Sequence, residues 1–258
     1  MKSAALPMTA VSESKAMKYA VDLHIHSALS PCSDKDMTPN NIVNMARIKG
    51  LDAIALTDHN SCANLKAVSI CAENAGLLFI PGMEVETSEE VHLICLLPCI
   101  AAASELQRIV YSALPPVLNR CDIFGKQLIM DETDRIIAEE SRMLLTAAAL
   151  TTGEVCSVVR HLGGAVIPAH VDRPSNSILS NLGFIPEEPC FKYLELSKHC
   201  GRTDFMAAHP ELGGYGTIVS SDAHELGAIL ERESFLEIDS LSAEAVIECL
   251  SNLNKFPY

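Results

Sequence analysis

Short apolar runs alternate along the chain with longer stretches of helical spacing. The first run, residues 20–26, predicts a strand with apolar side chains on one face and Asp22, His24 and His26 on the other, because strand side chains alternate with a period of two. Further short runs predict strands at residues 52–57, 77–80, 91–97, 165–168, 193–196, 217–220 and 234–238.

Helical stretches lie between most of these strands. Thr38 suits an N-cap and Pro39 a first helical turn, so a helix is predicted from there to Lys49, where Gly50 ends it. The same spacing predicts helices at residues 62–74, 101–113, 132–150, 152–161 and 243–250. Strands that alternate with helices predict an α/β protein with a mostly parallel sheet.

The chain divides into an N-terminal extension, residues 1–19, and one domain, residues 20–258. Residues 101–155 interrupt the alternation, since they read as helical and bring no cluster of metal-binding side chains. We interpret them as an inserted helical segment whose mixed charges form a solvated helix face.

Histidines and acidic residues recur where predicted strands end. They are His24 and His26, His59, Glu84, His170, and Asp222 with His224. The carboxyl ends of strands meet at one rim in a barrel, and active sites of barrels lie there. A closed or nearly closed barrel is therefore predicted, because opposite edges of an open sheet would lie too far apart to share an ion.

Composition narrows the class of protein. Of the 258 residues 48% are apolar and 20% charged, which is typical of a globular protein. The net charge is −14 and no stretch is rich in Lys or Arg, which argues against a dedicated surface for duplex nucleic acid. A small phosphorylated partner stays compatible with this charge, because bound cations would reverse its sign locally.

Neither a membrane span nor a disulfide framework is predicted. The sequence has no apolar run of the length, about 18 residues, that a transmembrane helix needs. Ten cysteines are spread along the chain, several in apolar surroundings, at Cys71, Cys95, Cys99, Cys156 and Cys249. Free cysteine is common in such places, so a reducing, cytoplasmic location is predicted.

Taken in order, several short motifs resemble those of the PHP (polymerase and histidinol phosphatase) domain. They are Asp22-Leu23-His24-Ile25-His26-Ser27, Ser33-Asp34, Thr38-Pro39, Leu56-Thr57-Asp58-His59, Pro81-Gly82-Met83-Glu84, Ala169-His170 and Ser221-Asp222-Ala223-His224. The resemblance implies a distorted (β/α)7 TIM-like barrel that holds two or three divalent metal ions, usually zinc, manganese or iron. It also implies hydrolysis of phosphate esters.

The resemblance also implies ligands for each ion. One ion would take His24, His26, Glu84 and Asp222, a second would take Glu84 as a bridge with His92 and His170, and a third would take Asp34, His59 and His224. Imidazole combined with carboxylate suits zinc, manganese or iron better than calcium or magnesium.

This sequence departs from the family pattern in the first loop. Pro31-Cys32 is inserted, and Asp34 is followed by Lys35-Asp36 where the family has glycine. Asp34 and Asp36 therefore compete for one ligand role, and the spacing to Pro39 favours Asp34.

Further residues are candidates for chemistry or substrate binding. Asp222 and His224 are the candidate catalytic residues at the metal centre, and His199 is a candidate proton donor to the leaving group. Arg173 and Lys198 follow strand ends and are expected to bind the substrate's phosphate. Asp58 points away from the ligand face, and we expect it to support the ligands from behind.

The predicted function is hydrolysis of a phosphomonoester by a metal-bound hydroxide. The substrate would be a small metabolite, a nucleotide or the end of a short oligonucleotide. Two alternatives stay open at this point, a histidinol-phosphate phosphatase and a non-catalytic metal-binding PHP module, because the residues alone do not separate them.

Overall fold

A computed structural model describes residues 16–189 and 191–251 of the chain. Its strands and helices, in chain order, are β1 (Met17–Ile25), α1 (Pro39–Ile48), β2 (Ala53–Leu56), α2 (Leu65–Ala75), β3 (Leu78–Glu86), β4 (His92–Leu96), α3 (Ile100–Ala113), α4 (Cys121–Phe124), β5 (Leu128–Met130), β6 (Ile136–Glu139), α5 (Thr152–His161), β7 (Ala165–Pro168), α6 (Ile178–Leu182), β8 (Tyr193–Ser197), α7 (Arg202–Ala208), β9 (Gly216–Ser220), β10 (Phe235–Ile238) and α8 (Ala243–Leu250).

The main sheet is mixed and open. Its six strands follow the order β10-β1-β2-β3-β4-β7, and β8 pairs with β9 in a separate parallel sheet. Only β1, β2 and β3 run parallel within the main sheet, since β4 is antiparallel to β3 and β7 and β10 is antiparallel to β1. The fold is α/β as predicted, but the sheet curls into a half-barrel and a closed (β/α)7 barrel is not formed.

The direction of β4 explains much of this difference. Only residues 87–91 join β3 to β4, and a connection this short cannot hold the crossover helix that a parallel neighbour requires. β4 therefore turns straight back along β3, with His92 opposite Glu86. The turn brings the start of β4 to the rim where the other strands end.

The β8–β9 pair connects the end of the edge strand β7 with the end of β1 near that rim. On one side the Val171 N–H donates to the Glu195 carbonyl at 2.9 Å, and on the other the His26 N–H donates to the Ala223 carbonyl at 3.0 Å. A parallel bridge also joins Ile25 to Ala223. Residues at the ends of β1 and β7 therefore approach one another although the sheet is not closed by a continuous ladder.

Two apolar clusters cover the two faces of the sheet. The inner cluster contains Val21 and Leu23 and is completed by α8, while the outer cluster joins the strands to the surrounding helices. Ile25 packs in the outer cluster, so the predicted period of two fails within β1. The pairing register of β1 with β2 shifts between Asp22 and Ile25, and such irregularities turn the following side chains.

Most predicted helices are confirmed, together with their end signals. The Thr38 side chain accepts a hydrogen bond from the Asn41 N–H at the start of α1, and Gly76 ends α2 with φ at +66°. Thr151 and Glu154 form a capping box at the start of α5. α3 and α8 also lie where the spacing placed them.

The helix predicted at residues 132–150 is wrong. The segment instead contains β6, which pairs with β5 in a hairpin, followed by irregular chain. The Asp131 side chain accepts the N–H groups of Thr133 and Arg135 at 2.9 and 3.0 Å, which favours a turn over a helix. The buried Gln127 amide then donates to the carbonyls of Glu140 and Arg142, which a helix would satisfy internally.

The predicted N-terminal extension is only partly described. Its residues 1–15 lie outside the described residues, and residues 17–19 belong to β1.

The cysteines predicted to lie in apolar surroundings differ in their exposure. Cys71, Cys95 and Cys156 are buried as expected, whereas Cys99 is exposed. Among the described residues, no helix has the length and apolar character needed to cross a bilayer.

We expect Gly164→Ala to destabilise the protein. A Cβ at Gly164 would lie 2.4 Å from the Leu96 carbonyl oxygen and 2.8 Å from Val159 Cγ1, so β4 and α5 would have to separate. The cost should be about 1–3 kcal/mol of unfolding free energy, measured by urea denaturation. Gly153→Ala is the matched control, because it lies in α5 with open space around it and should be neutral or slightly stabilising.

Candidate metal centre

Histidines and carboxylates converge at the rim of the curled sheet. They form three overlapping groups in which the ligand atoms lie within 4.8 Å of one another: His24, His26, Glu84 and Asp222; His59, Glu84 and His92; and His26, His59 and His224. The first group contains the same four residues as the first ligand set implied by the resemblance. The second pairs Glu84 and His92 with His59, while His170, outside the group, has its Nε2 3.3 Å from Glu84 Oε1.

Glu84 lies at the centre of the cluster and is 1% exposed. Its Oε1 and Oε2 atoms lie within 3.4 Å of five imidazole nitrogens: His92 Nδ1 at 2.9 Å, His59 Nδ1 at 3.0 Å, His26 Nε2 at 3.3 Å, His170 Nε2 at 3.3 Å and His24 Nε2 at 3.4 Å. A single carboxylate with ligands on both sides is suited to bridge two cations.

Asp222 closes the cluster from the end of β9. Its Oδ1 lies 3.1 Å from Nε2 of both His24 and His26, and its Oδ2 lies 2.6 Å from Arg173 Nη1. The backbone at Asp222 has φ at +50°, and at His170 it has φ at +30°. Non-glycine residues in this region are strained, and such strain gathers at functional sites, where packing holds a side chain in one direction.

The donor atoms fit divalent cations. His24 Nε2 lies 3.0 Å from His26 Nε2, although two imidazole nitrogens attract one another only through a shared proton or cation. Buried His59 Nδ1 lies 3.0 Å from Glu84 Oε2 and His92 Nδ1 lies 2.9 Å from Glu84 Oε1, yet the angles are not those of hydrogen bonds and these three atoms, His59 Nδ1, His92 Nδ1 and Glu84 Oε2, form none among the described residues. Buried polar atoms of this kind are rare without an ion, and the mixture of imidazole and carboxylate suits zinc, manganese or iron.

The pKa values show how strongly the cluster favours positive charge when it holds no metal. Burial lowers the pKa of His24, but the carboxylates around it, Glu195 first, raise the net pKa well above its ordinary value. Burial also lowers the pKa of His26, yet neighbouring carboxylates raise it to about 9. Burial dominates at His59 and at His224, where the pKa falls to about 4. Protons on two imidazoles thus balance carboxylates that a cation would otherwise neutralise.

A cavity of about 130 Å³ opens onto this cluster. Beside the ligand groups it is lined by Arg173, Ser175 and Asn176. The Arg173 N–H donates to the His170 carbonyl at 2.9 Å, so a turn after β7 places the guanidinium over the cavity. Asn176 Nδ2 lies 3.2 Å from His92 Nε2 and holds that ring.

A carboxylate that the sequence did not single out supports two of the ligands. Glu195 in β8 is 2% exposed, and its Oε2 lies 2.9 Å from His24 Nδ1 and accepts the His170 N–H at 3.0 Å. A carboxylate behind a metal-binding imidazole fixes its tautomer and strengthens it as a ligand. The signal in the sequence was an acidic residue inside an apolar strand.

Asp58 supports the cluster from below, as expected. Its carboxylate accepts the Ser27 N–H at 2.7 Å and the Ser30 hydroxyl at 2.7 Å, and Ser30 Oγ lies 3.0 Å from His26 Nδ1. The chain Asp58–Ser30–His26 therefore fixes the ring of His26.

Three predicted site residues lie away from the cluster. Asp34 is exposed, its Oδ1 accepts the Asp36 N–H at 3.0 Å, and it lines a separate cleft with Lys35 and Lys126. His199 is exposed and does not line the cavity, and Lys198 Nζ donates to the Ala228 carbonyl at 3.2 Å. The geometry thus brings Arg173 to the centre and leaves these three outside it.

A model of the PHP domain matches residues 22–199 of this chain, which is more than half of it. The chain belongs to the PHP domain family. All the residues that surround Glu84 lie within the match except those at the end of β9, Asp222 and His224.

Curated proteins that resemble this PHP chain include enzymes that act on phosphate esters. An uncharacterised protein of Methanocaldococcus jannaschii is 27% identical over 64% of this chain and 18% of its own length. A 5'-3' exoribonuclease of Haemophilus influenzae is 33% identical over 31% of this chain and 29% of its own. A 3',5'-nucleoside bisphosphate phosphatase of Chromobacterium violaceum is 33% identical over 30% and 27%. The chain thus spans less than a third of each of these relatives.

Solved structures share the fold of this PHP chain. The lesion-specific endonuclease PfuEndoQ of Pyrococcus furiosus has a TM-score of 0.62 at 21% identity, over 92% of this chain and 57% of its own. A putative metal-dependent phosphoesterase of Bifidobacterium adolescentis has a TM-score of 0.57 at 19% identity, over 92% and 98%. An Endonuclease Q complex with a 27-mer duplex that carries an abasic lesion has a TM-score of 0.65 at 22% identity, over 90% and 56%. At these identities the likeness concerns the fold alone.

Proposed function

We propose that this PHP chain is a metal-dependent hydrolase of phosphate esters. The observation that carries the proposal is the position of Glu84, whose carboxylate lies within 3.4 Å of five imidazole nitrogens and belongs to two of the three groups suited to a cation. His24, His26, Glu84 and Asp222 would hold one ion, and Glu84 with His92 and either His59 or His170 would hold a second. Bound divalent cations supply an activated water near neutral pH and neutralise the charge of a phosphoryl group.

The chain's own residues orient the ligands and the substrate. Glu195 and the Asp58–Ser30 pair hold the His24 and His26 rings, so the ligand positions are fixed before a substrate arrives. Arg173 reaches the cavity, and its planar guanidinium can donate two parallel N–H bonds to phosphate oxygens. Asp222 lies between the imidazoles and Arg173, which links the metal centre to the phosphate-binding residue.

The dimensions of the cavity favour a small reacting group. A volume of about 130 Å³ accommodates a phosphoryl group but not a nucleotide, because pockets for whole ligands of drug size start at about 300 Å³. The remainder of the substrate would therefore lie outside the cavity, on the open rim. This supports a terminal phosphomonoester on a metabolite, a nucleotide or the end of a short oligonucleotide.

The names of the relatives bear on the substrate class. One relative is named a 3',5'-nucleoside bisphosphate phosphatase and another a 5'-3' exoribonuclease, and a structural neighbour is a complex with a 27-mer duplex that carries an abasic lesion. The composition predicted no dedicated duplex surface, but nucleic acid belongs among the substrates to be tested. No described residue favours histidinol phosphate over the other substrates. It stays in the test because the sequence left it open as an alternative.

The test combines metal counting with a substrate panel. The purified chain is analysed for zinc, manganese and iron, and phosphate release is measured from nucleotides, nucleoside bisphosphates, short 5'-phosphorylated oligonucleotides and histidinol phosphate. We expect at least two ions per chain, release from a nucleotide substrate, and loss of release after chelation. A chain with fewer than two ions and no release from any substrate would support the non-catalytic metal-binding module instead.

Arg173→Ala should raise the KM for the phosphorylated substrate about tenfold and lower kcat much less. The substitution removes one charge-assisted contact between the guanidinium and the substrate's phosphate, and the arginine side chain is partly exposed. Arg173→Lys should recover part of the loss. The matched control is Lys198→Ala, whose amine donates to the Ala228 carbonyl and does not line the cavity. Equal KM values for Arg173→Ala and the unmodified chain would remove Arg173 from the proposed site.

A further inference from the structure

Asp222 and His224 are carried by a segment with little secondary structure of its own. It joins β9 to β10 and contains one 3-10 turn, Leu226–Ala228. Asp222 has φ at +50°, a conformation that persists only where surrounding contacts hold it. Contacts with the rest of the protein therefore determine where these two side chains point. We call residues 221–230 the Asp222 loop.

One buried carboxylate holds both ends of the Asp222 loop. Asp22 in β1 is fully buried, its Oδ1 accepts the Ser221 N–H at 3.0 Å, and its Oδ2 accepts the Leu230 N–H at 2.9 Å. Asp22 belongs to none of the three candidate ligand groups among the described residues, although it shares its strand with His24. Its two oxygens thus bind backbone, and they bring the first and last residues of the loop to one point.

One ammonium group holds the far part of the Asp222 loop. Lys49 follows the last turn of α1, and its side chain is only 10% exposed. Its Nζ donates to the Gly227 carbonyl at 2.8 Å and to the Ile229 carbonyl at 2.5 Å, and it lies 3.2 Å from Glu231 Oε1. A lysine ammonium has three donors, so each of them has an acceptor in the loop or directly after it.

The charges of Asp22 and Lys49 match the backbone groups that they bind. A carboxylate accepts from N–H groups and an ammonium donates to carbonyls, and such charge-assisted bonds are stronger than those between neutral groups. The two side chains come from β1 and α1, so they attach the loop to two different elements of the fold. Lys198 adds one longer bond, 3.2 Å, to the Ala228 carbonyl.

We propose that Asp22 and Lys49 are positioning residues, which hold the Asp222 loop in the conformation that presents Asp222 and His224 to the metal centre. This inference rests on the proposed metal-dependent function. It gives a role to two buried charges that neither bind the ions nor line the cavity. The role matters because ligands work only when they are held within about 0.5 Å of their productive positions.

The proposed role predicts a selective effect on metal binding. The ion held by His24, His26, Glu84 and Asp222 depends on the loop, because Asp222 belongs to it. The group of His59, Glu84 and His92 contains no residue of the loop. Loosening the loop should therefore weaken the first ion and spare the second.

The first test measures zinc affinity by competition with a chromogenic chelator. In Asp22→Asn and in Lys49→Met, one ion should bind about 10–100-fold more weakly, and the other should keep its affinity. Lys49→Arg should recover part of the loss, because a guanidinium also donates to carbonyls. The matched controls are Asp239→Asn and Arg47→Met, which remove the same charges at exposed positions and should leave both affinities unchanged.

The second test follows the loop itself in the metal-free protein. Hydrogen exchange, measured by mass spectrometry, should accelerate about tenfold or more in a peptide that covers residues 221–230 of Asp22→Asn and Lys49→Met. Peptides that cover β2 and β3 should exchange as in the unmodified chain. This comparison separates release of the loop from general destabilisation, which would accelerate exchange throughout the protein.

The outcomes separate this inference from the proposed function. If the two variants weaken both ions equally, or leave both affinities and the exchange of the loop unchanged, Asp22 and Lys49 serve stability alone and the inference is wrong. If the selective loss is found but no phosphate ester is hydrolysed, the inference stands and the proposed function fails. An unmodified chain that binds no ion overturns both.

Discussion

Glu84→Gln is expected to abolish the metal centre and lower the rate of phosphate release by about 10³-fold or more. The substitution keeps the shape of the side chain but removes the negative charge that five imidazoles surround. Because Glu84 belongs to two of the three ligand groups, its loss should weaken both sites at once. Elemental analysis of the dialysed protein and the phosphate-release assay measure the two effects.

The control for this change is Glu86→Gln. Glu86 is two residues further along β3, and its nearest imidazole nitrogen, His92 Nε2, is 4.0 Å away. It belongs to none of the three groups among the described residues, so its neutralisation should change the rate only a few-fold. Glu84→Asp is a second test, because it retains the charge on a shorter side chain. A Glu84→Gln protein that kept its ions and its rate would show that the hydrolytic site lies elsewhere.

The metal-free protein should also respond to Glu84→Gln. Without a cation, the protonated imidazoles of His24 and His26 balance the buried carboxylates. Removing one buried partner of such pairs typically costs about 3–5 kcal/mol of unfolding free energy. Loss of stability is thus measured separately, by denaturation in the presence of chelator, so that the loss of metal binding is not mistaken for unfolding.

Local signals in the sequence were sufficient for the helices α1, α2, α3, α5 and α8 and for the ends of most strands. The caps at Thr38 and Thr151 satisfy backbone groups within a single turn, so neighbouring residues alone determine them. The same holds for the histidines that end β1, β2 and β7, because an apolar run followed by a polar residue marks where a strand leaves the core. These residues are therefore the part of the site that a single sequence predicts well.

The strand direction and the hairpin that the sequence did not predict depend on contacts between residues far apart in the chain. The residues between Glu86 and His92 carry no local signal that β4 turns back along β3, yet this turn brings His92 to Glu84. The hairpin of β5 and β6 similarly depends on Gln127, which binds carbonyls that a helix would have used. Propensity favoured a helix there, and tertiary hydrogen bonds overrode it.

The first loop shows the same limit within the site. Spacing to Pro39 favoured Asp34 as a ligand, but its side chain turns outward to its own loop. The loop is fixed at both ends, because Ser30 Oγ lies 3.0 Å from His26 Nδ1 and the Asp34 N–H donates to the His224 carbonyl at 2.8 Å. A count of residues cannot reveal which way the Asp34 side chain points, because that depends on where Ser30 and Asp34 are attached.

Glu195→Gln is the second substitution for which we expect a large effect. It tests the carboxylate that supports His24 and His170 from behind. The carboxylate lies 2.9 Å from His24 Nδ1 and accepts the His170 N–H at 3.0 Å. Glutamine presents one oxygen and one amide donor, so it can serve only one of these two partners well and no longer carries a charge. Affinity for the first metal ion should fall about 10–100-fold, measured by competition with a chromogenic chelator.

A positioning role predicts more than a loss of affinity. Glu195 is the leading carboxylate that raises the pKa of His24 in the metal-free protein, so that pKa should fall in Glu195→Gln when followed by NMR titration. Glu237→Gln is the control, since Glu237 is exposed and pairs with Lys18 on the far part of the sheet. If Glu195→Gln reduced stability but left both metal affinity and the pKa of His24 unchanged, Glu195 would serve only to pack β8 against β1, and the ligand His24 would be held by its other neighbours.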